Sequence, residues 1–91
     1  MKYISTRGQA PDLGFRDTLL SGLARDGGLY IPEEWPQLSH ETIKAMAGKP
    51  YAEIAKTVLM PFVEGEIEKS AFEAMVDQAY SSFHHPATVP L

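Results

Sequence analysis

The feature that most constrains this chain is a glycine pair, Gly27-Gly28, set between the segment Gly22-Leu23-Ala24-Arg25-Asp26 and the short apolar run Leu29-Tyr30-Ile31. Because glycine has no Cβ, it adopts a positive φ at little steric cost, and the pair favours a tight reversal. The run that follows is rich in strand-favouring residues, and the proline after it is typical of a strand end. Asp26 is expected to hydrogen-bond its own turn rather than to act as a base. The segment therefore predicts a structural turn that leads from a helix into a strand.

A second short strand is predicted at the N-terminus, where Tyr3-Ile4-Ser5-Thr6 combines aromatic and β-branched residues. We expect Tyr3–Ser5 to pair with residues 29–31, because the sequence offers no other strand. A sheet of two strands is not stable by itself, so it must pack against helices.

Four helices are predicted from apolar residues that recur every three or four positions. They run from Phe15, with Leu19, Leu20 and Leu23 on one face, to about Ala24; from an N-cap at Ser39 to Gly48; from Pro50 to a close at Pro61 and Gly65; and through the stripe Phe72, Met75, Val76, Ala79, Tyr80 and Phe83. The predicted fold class is therefore α+β, a small and mostly helical domain with one two-stranded sheet.

Length and composition predict a single globular domain, with 91 residues, 44% hydrophobic and 22% charged. A net charge of −4 without any basic run argues against a nucleic-acid partner. No apolar run approaches the ~20 residues of a membrane span, and the N-terminus lacks the apolar core of a secretory signal. The chain has no cysteine, which excludes disulfides and thiolate metal sites and is compatible with the cytoplasm, where we expect the protein.

Few side chains suggest chemistry of their own. The pair His84-His85 could bind a metal, but no acid or thiol lies at a ligand spacing, so a solvated linker pair is the simpler interpretation. Glu64, Glu66 and Glu68 resemble a carboxylate cluster and are explained by a negatively charged helix entry. The sequence therefore predicts no catalytic residue and no metal site.

One short motif, Ser5-Thr6-Arg7, keeps two interpretations open. Two hydroxyl groups and a guanidinium lie side by side, next to the flexible Gly8. Arginine binds phosphate or carboxylate through two parallel hydrogen bonds, which would make the motif an anion site. The alternative is a structural ion pair between Arg7 and an acid such as Asp26.

Five segments taken together point to a family. They are Met1-Lys2-Tyr3-Ile4-Ser5-Thr6-Arg7-Gly8, Gly22-Leu23-Ala24-Arg25-Asp26-Gly27-Gly28-Leu29-Tyr30-Ile31-Pro32, Tyr51 with Ile54-Ala55, Pro61-Phe62, and Ala79-Tyr80 with Phe83. In this order and at this spacing they resemble the N-terminal domain of the threonine synthase family, over essentially the whole chain.

The resemblance implies a pyridoxal-phosphate enzyme of the tryptophan-synthase-β-like fold group, which converts O-phosphohomoserine and water into threonine and phosphate. The family's Schiff-base lysine lies in a His-Gly-Pro-Thr…Phe-Lys-Asp motif, and no lysine of this chain follows a phenylalanine or precedes an aspartate. That motif begins shortly after the position corresponding to Leu91. We therefore expect residues 1–83 to form the N-terminal domain and residues 84–91 to connect it to the catalytic region.

By this resemblance the 91 residues bind no cofactor themselves and catalyse nothing. They are expected to pack against the catalytic domains of the same chain and to close one side of the site, with Ser5, Thr6 and Arg7 as candidates for reaching the substrate phosphate. Trp35 and Tyr30 are candidate docking anchors by residue type. The alternative is a free-standing interaction module without enzymatic activity, and the reading frame beyond codon 91 distinguishes the two.

Overall fold

The computed structural model of the protein describes residues 1–82. Within them the fold is α+β, with four helices and one antiparallel two-stranded sheet, as the sequence predicts. The elements in chain order are β1 (Tyr3–Ser5), α1 (Phe15–Ser21), β2 (Tyr30–Pro32), α2 (His40–Ala45), α3 (Tyr51–Val63) and α4 (Lys69–Ser81). None of these helices combines the length and apolar character needed to cross a lipid bilayer. Phe83, His84, His85 and the predicted connector lie outside the described residues.

The chain divides into two compact units. The first consists of Met1–Gln37 and Pro61–Glu66 and holds the sheet and α1. The second consists of Leu38–Met60 and, among the described residues, 67–82, and it holds α2 and α4. Helix α3 contributes residues to both units, so the first unit is discontinuous in sequence.

The sheet forms at the predicted pair of segments, but β2 lies one residue later than predicted. In the register, Tyr3 lies opposite Pro32, Ile4 opposite Ile31 and Ser5 opposite Tyr30. Leu29 is not part of the strand, because its N–H donates to the Thr6 hydroxyl instead of to the ladder. Pro32 is accommodated because the N–H and C=O of Tyr3 are both bonded to Leu13. A proline opposite Tyr3 therefore removes no ladder hydrogen bond.

Tyr3 packs in the core of the first unit. Its ring is buried, and the ring centroids of Tyr3 and Phe15 lie 6.2 Å apart. Its hydroxyl donates a 2.6 Å hydrogen bond to the carbonyl of Phe62, 59 positions later in the chain. Burial raises the pKa of the Tyr3 hydroxyl, which therefore remains protonated and a donor at neutral pH. The side chain thus joins the two sequence segments of this unit.

Helix α1 is shorter than predicted, and its leucines are not buried. It ends at Ser21 because Gly22 takes a φ of 71°, a left-handed conformation that glycine adopts without a Cβ clash. The predicted helical face contributes Phe15 to the core, whereas Leu19, Leu20 and Leu23 are exposed. Leu23 lies beyond the end of α1, and among the described residues nothing buries the three leucines of the predicted face.

The second unit has a small apolar core and an ion-pair network. Among its described residues, the buried apolar ones are Ala55, Phe72 and Val76. Lys56 of α3 lies 2.8 Å from Asp77 of α4 and 2.9 Å from Glu53. Its hydrogen bond to Asp77, followed in size of effect by the one to Glu53, raises the pKa of Lys56. The amine therefore remains charged. The network fastens α3 to α4.

Helix boundaries in the second unit follow local capping and glycine positions. Ser39 caps α2 as predicted, and its Oγ accepts a 3.1 Å hydrogen bond from the N–H of Thr42. The helix ends at Ala45, before the predicted Gly48, because the last residues form a turn that leads to the left-handed conformation at Gly48. Residue type therefore predicts the start of α2, at its N-cap, better than it predicts the end of the helix.

The sequence predicts that the third helix closes at Pro61 and Gly65, and α3 continues through Pro61 to Val63. Proline lacks an N–H, but so near the end of the helix its ring interrupts only the last turn. The chain turns at Gly65, the second of the two predicted closing residues, which has a φ of 84°. The helix therefore ends where a residue can take the left-handed conformation rather than at the proline itself.

Candidate functional site

The sequence candidates meet in the first unit, where the end of β1 lies against the turn that precedes β2. The contact is close because Gly28 has no side chain. A Cβ on Gly28 would lie 2.7 Å from Ser5 Oγ and 3.1 Å from the backbone nitrogen of Arg7. We call this group the Arg7 cluster. Its members are Ser5, Thr6, Arg7 and Gln9 from the first segment and Asp26, Gly27 and Gly28 from the second.

Asp26 is the hydrogen-bond centre of the Arg7 cluster. Its Oδ1 accepts from the Gly28 N–H and its Oδ2 from the Gln9 N–H, each at 2.9 Å. The Ser5 hydroxyl donates to the same carboxylate, with its Oγ 2.8–2.9 Å from the two oxygens. The carboxylate thereby joins the loop after β1 to the turn before β2.

These contacts lower the pKa of the Asp26 carboxyl, chiefly through the Gly28 N–H and further through Ser5, Gln9 and the charge of Arg7, while burial acts in the opposite direction. A carboxyl whose pKa falls on folding stabilises the fold above its unfolded value of about 3.9, and this stabilisation is lost as the pH falls through the lowered folded value.

We expect a ¹³C NMR titration of the Asp26 carboxyl in the folded chain to give a midpoint below about 3.9. The difference in stability between wild type and Asp26→Asn should shrink as the pH falls through that midpoint. A midpoint at or above the ordinary value would contradict the hydrogen-bond geometry.

Arg7 lies over the glycine turn with one edge of its guanidinium held. Its Nη1 donates a 3.0 Å hydrogen bond to the backbone carbonyl of Asp26. A Cβ on Gly27, whose φ is 84°, would lie 2.7 Å from the same nitrogen. The carboxylate of Asp26 accepts its hydrogen bonds from other groups, so the hydrogen bond of Arg7 is to the main chain. The Arg7 side chain is exposed, and its remaining N–H groups can bind an anion.

The two hydroxyl groups of the cluster differ in position. Ser5 is buried, and its hydroxyl donates to Asp26 while accepting from the N–H of Arg7 at 3.2 Å. Thr6 is exposed, and its Oγ1 accepts a 3.0 Å hydrogen bond from the Leu29 N–H. Thr6 and Arg7 therefore face solvent, and Ser5 holds the loop that carries them.

Gln9 and Leu29 also make hydrogen bonds at this site, and the sequence gives no indication of either contact. Gln9 bonds Asp26 and Leu29 bonds Thr6, in both cases through the backbone N–H. A backbone donor has no side-chain signature, so residue type could not reveal these contacts.

Glu68 of the predicted carboxylate cluster belongs to the second unit, as does His40. His40 is exposed as the first residue of α2. Glu68 precedes α4 and accepts a 3.1 Å hydrogen bond from the hydroxyl of Ser70. Within residues 1–82, no three side chains of His, Cys, Asp or Glu come together as metal ligands.

This chain is similar in sequence to several known proteins. A family model described as "Threonine synthase N terminus" matches residues 2–80. Threonine synthase from Pseudomonas aeruginosa is 50% identical over 91 residues, which is 100% of this chain and 19% of that protein. Threonine synthase from Methylobacillus glycogenes is 48% identical over 80 residues, 88% of this chain and 17% of that protein.

A solved structure agrees with the sequence relatives. The X-ray structure of PLP-bound threonine synthase from Brucella melitensis has 59% sequence identity and a TM-score of 0.95, and it covers 100% of this chain and 20% of that one. The chain thus spans about a fifth of the length of these relatives. With residues 2–80 matched and the fold shared, the chain belongs to the family of threonine synthase N-terminal domains.

Proposed function

We propose that this chain is the non-catalytic N-terminal domain of a threonine synthase, and that the intact protein converts O-phosphohomoserine and water into threonine and phosphate with pyridoxal phosphate. Family membership and the names of relatives about five times longer support the proposal. In it, residues 1–83 form the domain, residues 84–91 lead to the catalytic region, and the enzyme works in the cytoplasm.

The described residues do not themselves fit the cofactor. A lysine that forms a Schiff base must lose its proton, which proteins promote by burial or by nearby positive charge. Lys56, the one lysine in residues 1–82 that is not exposed, has its pKa raised by Asp77 and Glu53 instead. Lys2 lies within 3.8 Å of two carboxylates. We therefore assign cofactor binding to the part of the intact protein outside this chain.

One observation supports a direct role for this domain: Arg7 is exposed while its Nη1 is held by the Asp26 carbonyl, and the preceding residue, Thr6, is exposed as well. A phosphate group suits such a pair, because arginine donates two parallel hydrogen bonds and a hydroxyl can add a third. In this proposal, Arg7 and Thr6 contact the substrate phosphate in the intact enzyme, and Ser5 and Asp26 keep the loop in place.

The test is Arg7→Ala in the intact protein. Loss of charge-assisted hydrogen bonds is expected to raise KM for O-phosphohomoserine by about tenfold to a hundredfold, with a smaller change in kcat, because binding to the phosphate is similar in ground and transition states. The matched control is Lys44→Ala, which removes one exposed positive charge from α2. Steady-state kinetics and Tm are measured for all three proteins.

Unchanged kinetics at unchanged Tm in Arg7→Ala would remove the substrate contact from the proposal. The coding sequence tests the assignment as a whole. An open frame that continues beyond codon 91 into a Phe-Lys-Asp motif supports the enzyme, and a stop codon there supports the interaction module instead.

A further inference from the structure

Four exposed leucines lie close to one another in the sequence, on either side of the Asp26–Gly28 turn. Leu19, Leu20, Leu23 and Leu29, here called the leucine face, have between 58% and 78% of their surface exposed. Single exposed apolar residues are ordinary on protein surfaces, but several large ones in one short segment indicate a surface that another part of a protein covers. All four belong to the first unit, and they fall within eleven positions of one another.

Backbone hydrogen bonds connect this face to the Arg7 cluster. Leu29 makes two hydrogen bonds with Thr6. Its carbonyl accepts from the Thr6 N–H at 2.8 Å, and its N–H donates to the Thr6 hydroxyl at 3.0 Å. Leu23 precedes Ala24, whose N–H donates to the Gly28 carbonyl at 2.9 Å. The two leucines therefore flank the turn on which the Arg7 side chain lies.

We propose that the leucine face is the surface against which the cofactor-binding part of the intact threonine synthase docks, an inference that rests on the proposed function. The relatives contain about four fifths of their length beyond what this chain covers, so a large partner surface is present in them. This chain supplies no lysine suited to the cofactor. Arg7 can therefore serve the reaction only if the part that holds that lysine comes close to Arg7, and the leucine face is an apolar surface beside it on which that part can dock.

The candidate anchors Trp35 and Tyr30 fit this role less well. The Tyr30 hydroxyl donates to the Pro11 carbonyl within the first unit, and Trp35 packs edge-on against Phe62 with ring centroids 6.3 Å apart. Both side chains are thus engaged by residues outside the Arg7 cluster, whereas Leu29 is hydrogen-bonded to Thr6 directly. The leucine face is therefore the exposed apolar group that leads most directly to Arg7.

Cysteine labelling tests the proposal, because the 91 residues contain no cysteine. Leu20→Cys and Leu23→Cys are made separately in this chain and in the intact protein, and maleimide labelling rates are read peptide by peptide by mass spectrometry. Ile43→Cys on α2 is the matched control, an exposed apolar position in the second unit. Docking is expected to slow labelling at positions 20 and 23 about tenfold or more in the intact protein, since a buried thiol reacts only after local opening. Position 43 should label at similar rates in both.

Equal labelling rates at positions 20 and 23 in the two proteins would overturn the proposal. Protection that appears in the 91-residue chain and grows with its concentration would overturn it too, in favour of a second copy as the occupant. The kinetics of Arg7→Ala decide the underlying function separately. Protection with unchanged Arg7→Ala kinetics supports the docking face and removes the substrate contact. Equal labelling rates together with a raised KM in Arg7→Ala remove only the docking face.

Discussion

Replacing Phe72 by alanine is expected to lower the free energy of unfolding of the 91-residue chain by about 3–5 kcal/mol, because it removes a buried aromatic ring and leaves a cavity. Phe72 is 7% exposed and packs in a core of only a few buried residues. A domain of this size has roughly 5–15 kcal/mol of stability in total. Urea denaturation followed by circular dichroism should therefore find a clearly lower unfolding midpoint for Phe72→Ala than for wild type.

Met75 provides the matched control, since it lies on the same helix in the same predicted apolar stripe. It is 54% exposed, so Met75→Ala should change the free energy of unfolding by less than about 1 kcal/mol. Equal losses in the two variants would show that the structure assigns the buried face of α4 wrongly.

Replacing Gly28 by alanine is expected to cost about 2–3 kcal/mol, because the new methyl group has no space. Its Cβ would lie 2.7 Å from Ser5 Oγ, 2.9 Å from Thr6 Oγ1 and 3.1 Å from the backbone nitrogen of Arg7. Ser5 is buried and bonded to Asp26, and a backbone atom cannot rotate away. The variant must therefore separate the end of β1 from the turn.

Gly48→Ala separates steric contact from backbone strain. Gly48 has a φ of 78° and no atom within 4 Å of an added Cβ, so alanine there adds only the strain of a left-handed conformation, about 1 kcal/mol. Gly28 is the opposite case, with close neighbours and no positive φ. If Gly28→Ala is as stable as wild type, measured by the same denaturation, the close approach of the two segments is wrong.

Features that depend on neighbouring residues were predictable from the sequence. Ser39 caps α2 because a hydroxyl at that position bonds the first free N–H groups, whatever the rest of the fold does. The sheet was predictable because only two segments suit a strand. The end of α1 at Ser21 was not, since helical spacing gives no sign of which glycine takes a positive φ.

Features that depend on distant contacts could not be read from the pattern. The sequence predicts that the Asp26 carboxylate hydrogen-bonds its own turn, and it does accept from the Gly28 N–H. It also accepts a hydrogen bond from the N–H of Gln9, 17 positions away. The leucines of α1 have the spacing of a core face, yet periodicity identifies a face without identifying what covers it. The candidate site was therefore visible as residue types, while its geometry required the structure.

The hydrogen bond from Tyr3 to the carbonyl of Phe62 has a consequence for how the protein is made. On the ribosome, the N-terminal strand emerges first, and the acceptor for its tyrosine is synthesised 59 residues later. Both strands are available once residue 32 has emerged, but the core behind them cannot close until Pro61–Glu66 follows. A nascent chain that stalls before that point carries an unfinished first unit, with its tyrosine hydroxyl still bonded to water.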